Sequence, residues 1–301
     1  MMETITIPAK NLVFRVKKPN SWFGAEYNMN IYRGCSHGCI YCDSRSDCYR
    51  NDDFDTVKVK EDALRKVRDG LAGKVLRGVV ATGAMSDPYN PLERELKLTR
   101  NALELFNAFE FGAAIDTKGP IVCRDKDVLL DIAEHSPVIV KMTITTADND
   151  LCKLVEPHAA SADERFGALA ELSDAGIFCG VLMMPILPFI NDNEENITRI
   201  VENAAKAGAR FIYPAMGMTL RNGNREYYYE KLDEHFPGVK DKYIKHYGTR
   251  YQCSSLKAKT LWRVFKDECG RHGLLSDMKS IILNYKSGYD ARQFDMFDLL
   301  S

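Results

Sequence analysis

YNMNIYRGCSHGCIYC, residues 27–42, begins as a short β-prone segment and runs directly into three cysteines, Cys35, Cys39 and Cys42. A strand over Tyr27–Tyr32 that empties into a loop is the start of a strand–helix unit, and such units recur downstream. LRGVVAT (76–82) is a continuous apolar run of the kind buried on both faces of a sheet. Gly112–Asp116, the β-branched Val138–Thr145, Ile177–Met184 and Arg210–Pro214 supply four more strands. Helical stretches alternate with them. These are Lys60–Leu71, Glu93–Phe109, Lys126–Ala133, Ser161–Asp174 (stopped at Gly176) and Glu194–Ala207 (stopped at Gly208). Six strand–helix units with short connections predict an α/β fold, a parallel sheet rolled into a partial (β/α)6 TIM-type barrel. An open doubly wound sheet is the alternative, but no G-x-G-x-x-G turn follows the first strand. Barrels of this kind carry their sites at the C-terminal ends of the strands. The cysteines, Ser86-Asp87 and Thr117-Lys118 all fall there.

Working outward, the expected organisation is an N-terminal arm (1–25), the barrel (26–217) and a mostly helical C-terminal extension with a tail (218–301). Residues 219–260 mix nine Lys and Arg with Tyr227, Tyr228, Tyr229, Tyr243, Tyr247 and Tyr251. That mixture reads either as a phosphate-tracking surface with stacking platforms or as helices whose tyrosines pack inward. The 45% hydrophobic and 28% charged content of the 301 residues fits a globular chain and excludes disorder. The net charge of −1 carries no overall basic excess for a polyanion. MMETITIPAK lacks the basic-then-apolar pattern of a secretory leader, and no run of 18 apolar residues follows, so a cytoplasmic protein without membrane spans is expected. Nine cysteines are an odd number for a disulfide framework, and three crowd into eight residues. In a reducing compartment such a cluster points to metal.

C-x3-C-x2-C delivers three soft thiolates from one loop, a donor set suited to an iron–sulfur cluster. Three ligands on a four-iron cluster leave one iron open for chemistry. Gly34 and Gly38 let the loop turn. Zinc is the competing reading, with His37 or Cys48 as fourth ligand, although no second C-x2-C pair is present.

The loop resembles the cluster loop of the radical SAM superfamily. The likeness extends to the branch related to spore photoproduct lyase, the DNA-repair-photolyase-like proteins. It is carried by NIYRGCSHGCIYC (30–42), TGAMSDPYNPLE (82–93), DTKGPIVCRD (116–125), TITTADND (143–150), LVEPHAASADERFGAL (154–169) and MMPILPFIND (183–192). The resemblance implies a [4Fe–4S] cluster on Cys35, Cys39 and Cys42, whose open iron chelates S-adenosylmethionine. It implies reductive cleavage to a 5′-deoxyadenosyl radical that abstracts hydrogen from a substrate, and an electron donor such as flavodoxin or ferredoxin. Residue by residue, Tyr41 matches the aromatic whose backbone contacts adenine, Ser86 and Asp87 the loop at the methionyl amino group, and Lys118 a lysine near the methionine carboxylate. Thr143 and Thr145 match the strand end that offers a hydroxyl to the ribose. Glu156 and Arg165 are expected as a structural ion pair under the rim. Spore photoproduct lyases carry a hydrogen-donating cysteine after the second strand. Here that stretch reads Thr82-Gly-Ala-Met85-Ser86, and Cys48 and Cys123 are the nearest cysteines in sequence beyond the cluster loop.

A nucleic-acid substrate is the leading expectation from this branch. Modification of a small molecule, peptide or protein is the enzymatic alternative, and a non-catalytic iron–sulfur nucleic-acid-binding module the alternative of another class. The tail Gln293–Leu300 is similar to peptides that dock onto sliding clamps; Phe294, Met296 and Phe297 folded back onto the barrel is the other reading.

Overall fold

The computed structural model describes residues 4–18, 21–51 and 53–289. Six parallel strands lie side by side in chain order: β1 (Tyr27–Met29), β2 (Val79–Thr82), β3 (Gly112–Thr117), β4 (Val138–Thr143), β5 (Cys179–Met183) and β6 (Phe211–Pro214). Order without reversal sends every crossover helix to the same outer face. β1 and β6 do not pair with each other, and Val13–Arg15 adds antiparallel to the free edge of β1. The barrel is therefore partial.

Alternation along the strands builds two cores. Val80, Ile115, Val140 and Val181 face outward, against α1 (Ala63–Ala72), α2 (Leu98–Ala108), α3 (Lys126–Ala133), α5 (Ala162–Asp174) and α6 (Glu194–Lys206), while α4 (Asn149–Val155) packs its Val155 against the cysteine loop. Ala81, Ala114, Ile139 and Leu182 face inward. Small inner residues leave room for a plug, and the segment before β1 supplies it. Phe23 is fully buried among the inner-face residues, 5.7 Å from the Phe211 ring. Its carbonyl accepts a 2.5 Å hydrogen bond from Tyr285. Lys141, also fully buried, sits 4.5 Å from the Phe23 ring centre and 2.7 Å from Asp116 Oδ1.

Two expected elements are corrected. The first strand ends at Met29, not Tyr32; the chain bends, and Tyr32–Arg33 joins a separate small sheet with Lys58–Lys60 and Thr6–Ile7. The helix expected over Glu93–Phe109 breaks at Lys97, which takes φ 51°, leaving one turn at Glu93–Leu96 before α2. The buried Glu93 carboxylate explains the break. It accepts from Thr99 N at 2.7 Å, capping the start of α2, and also binds the Tyr32 hydroxyl and Arg124.

Beyond β6, Gly217–Thr219 pairs antiparallel with Gln252–Ser254, and α7 (Asn224–His235), α8 (Val239–Tyr247), α9 (Ala258–His272) and α10 (Met278–Lys286) follow. Met218, Leu232, Tyr228 and Tyr243 form a second core that also receives Cys39, Ile40 and Tyr41 of the cysteine loop. Tyr228, Tyr243 and Tyr247 are thus interior packing, which removes them as exposed stacking platforms. No helix among the described residues is long and apolar enough to cross a membrane. The clamp-like tail 293–300 lies outside the described residues.

Candidate active site

The loop that carries the three cysteines is anchored from both sides. Cys35 N donates to Phe54 O at 2.8 Å, Ile40 N to Val155 O at 3.0 Å, and His158 N to His37 O at 3.1 Å. Gly34 takes φ 80°, and a Cβ there would lie 2.2 Å from the Thr56 carbonyl oxygen, so the loop can approach residues 54–56 only with glycine. All three thiols are free. They line one cavity of about 110 Å³ together with His37, Ser86, Asp87, Asp116, Lys118 and Thr143. Burial, with the Asp87 carboxylate adding to it, pushes the Cys35 thiol up to about 11, and burial likewise raises Cys39. Ligation must displace these protons.

Asp87 organises the strand ends. Its Oδ1 accepts from Thr117 Oγ1 at 2.6 Å and Tyr89 N at 2.8 Å; its Oδ2 meets His37 Nε2 at 2.9 Å and accepts from Lys118 N at 2.7 Å. Burial works against the ionised carboxyl. The His37 ring and the hydrogen bonds from His37, Thr117 and Lys118 outweigh it and bring the group down to about 2. One carboxylate thereby ties the cysteine loop to the exits of β2 and β3. Ser86 donates to the Gly34 carbonyl and adds a second tie.

A second carboxylate, Glu156, does the same beneath Tyr41. It accepts from the Tyr41 hydroxyl, pairs with Arg165 Nη2 at 2.5 Å and lies 3.8 Å from Lys118 Nζ. Arg165 also donates to Thr143 O at 2.9 Å, fixing the end of β4. The expected Glu156–Arg165 pair is present, and it supports the site as well as the rim. Burial disfavours charge on Lys118, but Cys39 and Glu156 outweigh burial and hold it protonated. Its ammonium sits 5.8 Å from the Tyr41 ring centre.

The sequence-predicted residues divide cleanly. Cys35, Cys39, Cys42, Ser86, Asp87, Lys118 and Thr143 converge on the small cavity. Tyr41 lines a larger neighbouring cavity of about 680 Å³, which shares Cys42, Ser44 and Ala84 with it. Thr145 lines neither. It is buried, its carbonyl accepts from Asn191 and Asn196, and its hydroxyl has no partner among the described residues. Cys48 is exposed beside Arg221, in another cavity, and Cys123 points at Ala168 O in the outer helical layer. Sequence reading gave no sign of His37 and Thr117 as partners of Asp87, nor of Trp22 and Trp262 on the larger cavity. Those tryptophans are the chain's only two, and their rarity was the available signal.

Three free thiols facing one space suit a polynuclear cluster, in which each thiolate would bind a different iron. The Radical SAM superfamily model matches residues 29–201, more than half of the chain. The chain belongs to the radical SAM superfamily. Among its relatives, an uncharacterized protein of Mycobacterium tuberculosis is 30% identical over 228 residues, covering 73% of this chain and 67% of that one. An uncharacterized protein of Methanocaldococcus jannaschii is 33% identical over 196 residues, covering 64% and 71%. Among solved structures, a spore photoproduct lyase mutant with bound AdoMet and dinucleoside spore photoproduct superposes with a TM-score of 0.66 at 14% identity, covering 90% of this chain and 81% of that one. The radical SAM methyltransferase TsrM from Kitasatospora setae, with tryptophan substrate and a SAM analogue bound, gives 0.53 at 10% identity, covering 81% and 51%. At these identities the structures establish a shared fold. The family implies a [4Fe–4S] cluster and S-adenosylmethionine, and a supply of electrons.

Proposed function

We propose that this chain is a radical SAM enzyme that holds a [4Fe–4S] cluster on Cys35, Cys39 and Cys42. When bound, cluster and S-adenosylmethionine supply one-electron cleavage of the sulfonium, giving methionine and a 5′-deoxyadenosyl radical that takes hydrogen from a substrate. The observation that carries the reading is the cavity on which three free thiols, a protonated, partly buried lysine and the strand-end residues Ser86 and Thr143 converge.

The chain's own residues have separable tasks. The thiolates anchor iron. The Lys118 ammonium, held by a long 3.8 Å ion pair to Glu156 and set 5.8 Å from the Tyr41 ring centre, would turn toward the methionine carboxylate. Asp87, with both oxygens engaged, positions the loops and leaves the methionyl ammonium to Ser86 and the neighbouring backbone. Tyr41, its hydroxyl held by Glu156, borders the larger cavity and would offer its backbone to adenine. Thr143 offers its hydroxyl at the end of β4. Apolar walls around that cavity exclude water from a reactive radical. The substrate class best supported is nucleic acid, since the solved neighbour at TM-score 0.66 carries a dinucleoside photoproduct. The stretch Thr82–Ser86 has no cysteine to return a hydrogen atom, so the reaction differs from spore photoproduct repair.

Anaerobic reconstitution with iron and sulfide, followed by dithionite and S-adenosylmethionine, tests the reading. 5′-Deoxyadenosine is expected from the wild-type protein and none from Cys35→Ala, Cys39→Ala or Cys42→Ala. A cluster that forms without S-adenosylmethionine cleavage favours the binding-module alternative.

A further inference from the structure

The larger cavity has a composition that selects its occupant. Both tryptophans of the chain, Trp22 and Trp262, line it, each about 40% exposed (40% and 39%). They come from opposite ends of the sequence, one from the plug segment before β1 and the other from α9. Met184, Pro185 and Met216 add polarizable apolar wall. One side chain on the wall is a carboxylate, Asp43, and it is already engaged. Arg221 Nε lies 3.4 Å from its Oδ1, Thr219 donates to the same oxygen at 3.2 Å, and Tyr49 donates to Oδ2 at 3.2 Å. The interior therefore offers no unpaired charge to an ionic group. It offers flat aromatic faces.

Neutral hydrogen-bonding groups lie along one edge. In the ribbon formed by Gly217–Thr219 and Gln252–Ser254, alternate residues share a face. Cys253 is buried in the second core, and Gln252, Ser254 and Thr219, on the face opposite to it, line the cavity together with Met218. The Gln252 amide and the Ser254 hydroxyl can read both donors and acceptors on a ring edge, and the Thr219 hydroxyl, which donates to Asp43, can accept. Outside the mouth the sign of charge changes. Lys257, Lys259 and Arg263 flank the lining residues Ala258 and Trp262 on and just before α9; all three are exposed and have no carboxylate partner among the described residues.

We infer that this cavity is an aperture for one nucleobase of a single-stranded or locally opened polynucleotide. Trp22 and Trp262 stack on the ring, Gln252, Thr219 and Ser254 read its edge, and Lys257, Lys259 and Arg263 meet the flanking phosphates. The arrangement separates an uncharged planar group, which must enter beside Cys42, from a polyanionic backbone, which must stay outside. An aromatic amino acid side chain satisfies the walls but leaves the three external cations unused. The inference rests on the proposed nucleic-acid substrate and adds the residues that would select it.

The test needs no cluster. Iron-free protein is titrated into a fluorescein-labelled ten-residue oligothymidylate and into its abasic counterpart, which has the same phosphate charge, with anisotropy as the readout. The thymidylate should bind about tenfold more tightly, and Trp22→Leu and Trp262→Leu should each remove most of that difference. Trp22→Phe and Trp262→Phe should retain it, which separates stacking from misfolding. Lys257→Ala/Lys259→Ala/Arg263→Ala should weaken both oligonucleotides alike. Equal binding of the two oligonucleotides by wild-type protein overturns the aperture, as does N-acetyltryptophanamide displacing the thymidylate at lower concentration than thymidine does. Wild-type holoenzyme that cleaves S-adenosylmethionine while failing this test loses the aperture and keeps the radical reading; base-dependent binding without cleavage does the reverse.

Discussion

Replacing Asp87 by Asn tests the architecture of the site without touching a thiol. The carboxylate is surrounded by four donors, two on each oxygen. An amide has one accepting oxygen, so whichever way it turns, one backbone N–H, that of Tyr89 or of Lys118, faces an NH2 group, while the Thr117 hydroxyl or the His37 ring can turn from donor to acceptor. Hydrogen bonds to a charged group contribute about 1.5–3 kcal/mol each, which puts the loss at about 1.5–3 kcal/mol. A second route gives a comparable figure: lowering the carboxyl from 3.8 to about 2 corresponds to roughly 2.5 kcal/mol. Taking about 3 kcal/mol, the melting midpoint of iron-free protein should fall by about 6 °C in a chain of this size. The pH dependence has a defined sign. A depressed carboxyl contributes its stabilisation above its unfolded value and loses it as pH falls through its folded value. The gap between wild type and Asp87→Asn should therefore hold constant from pH 7 to 5 and narrow as pH falls from about 4 toward about 2. Differential scanning fluorimetry across that range is sufficient. An Asn variant that melts with the wild type at pH 7 refutes the reasoning.

Other outcomes follow from the same contacts. Cys35→Ala, Cys39→Ala and Cys42→Ala should each abolish the broad brown absorption of reconstituted protein while leaving its circular dichroism intact. Glu156→Gln strands Arg165, which is 1% exposed, and should cost about 3 kcal/mol in urea unfolding. Adding Arg165→Met should recover part of it, so that the double variant is less destabilised than the sum of the singles by at least about 1 kcal/mol. Phe23→Ala empties the inside of the barrel and should cost about 3–5 kcal/mol, read as a lowered melting midpoint.

The barrel was legible because its strands are apolar runs too uniform for an amphipathic surface. Val79–Thr82 and Val138–Met142 are buried at every position, and only a sheet covered on both faces produces that. Helix stops were legible where glycine does the stopping, as at Gly176 and Gly208, both with positive φ. What escaped depends on partners distant in sequence. Phe23 looks like an ordinary aromatic until Ala81 and Ala114 leave a hole for it. The break at Lys97 is dictated by a buried Glu93 whose partners, Tyr32 and Arg124, are 61 and 31 residues away. The pairing of 217–219 with 252–254 spans two helices and has no local signal. At the site, the grouping of the three thiols was readable from their spacing, and Lys118 only through the family resemblance. The double role of Asp87 was not, because it exists only once β3 and the cysteine loop bring Thr117 and His37 to the same carboxylate.

The claim on which the rest depends is that Cys35, Cys39 and Cys42 hold a cluster with one corner left for S-adenosylmethionine. Electron paramagnetic resonance of the anaerobically reconstituted, dithionite-reduced protein addresses it directly. Addition of S-adenosylmethionine should change the spectrum of a cluster with about four irons per chain, and 5′-deoxyadenosine and methionine should appear together. A spectrum indifferent to S-adenosylmethionine with no 5′-deoxyadenosine, or tightly bound zinc in place of iron, would contradict the account.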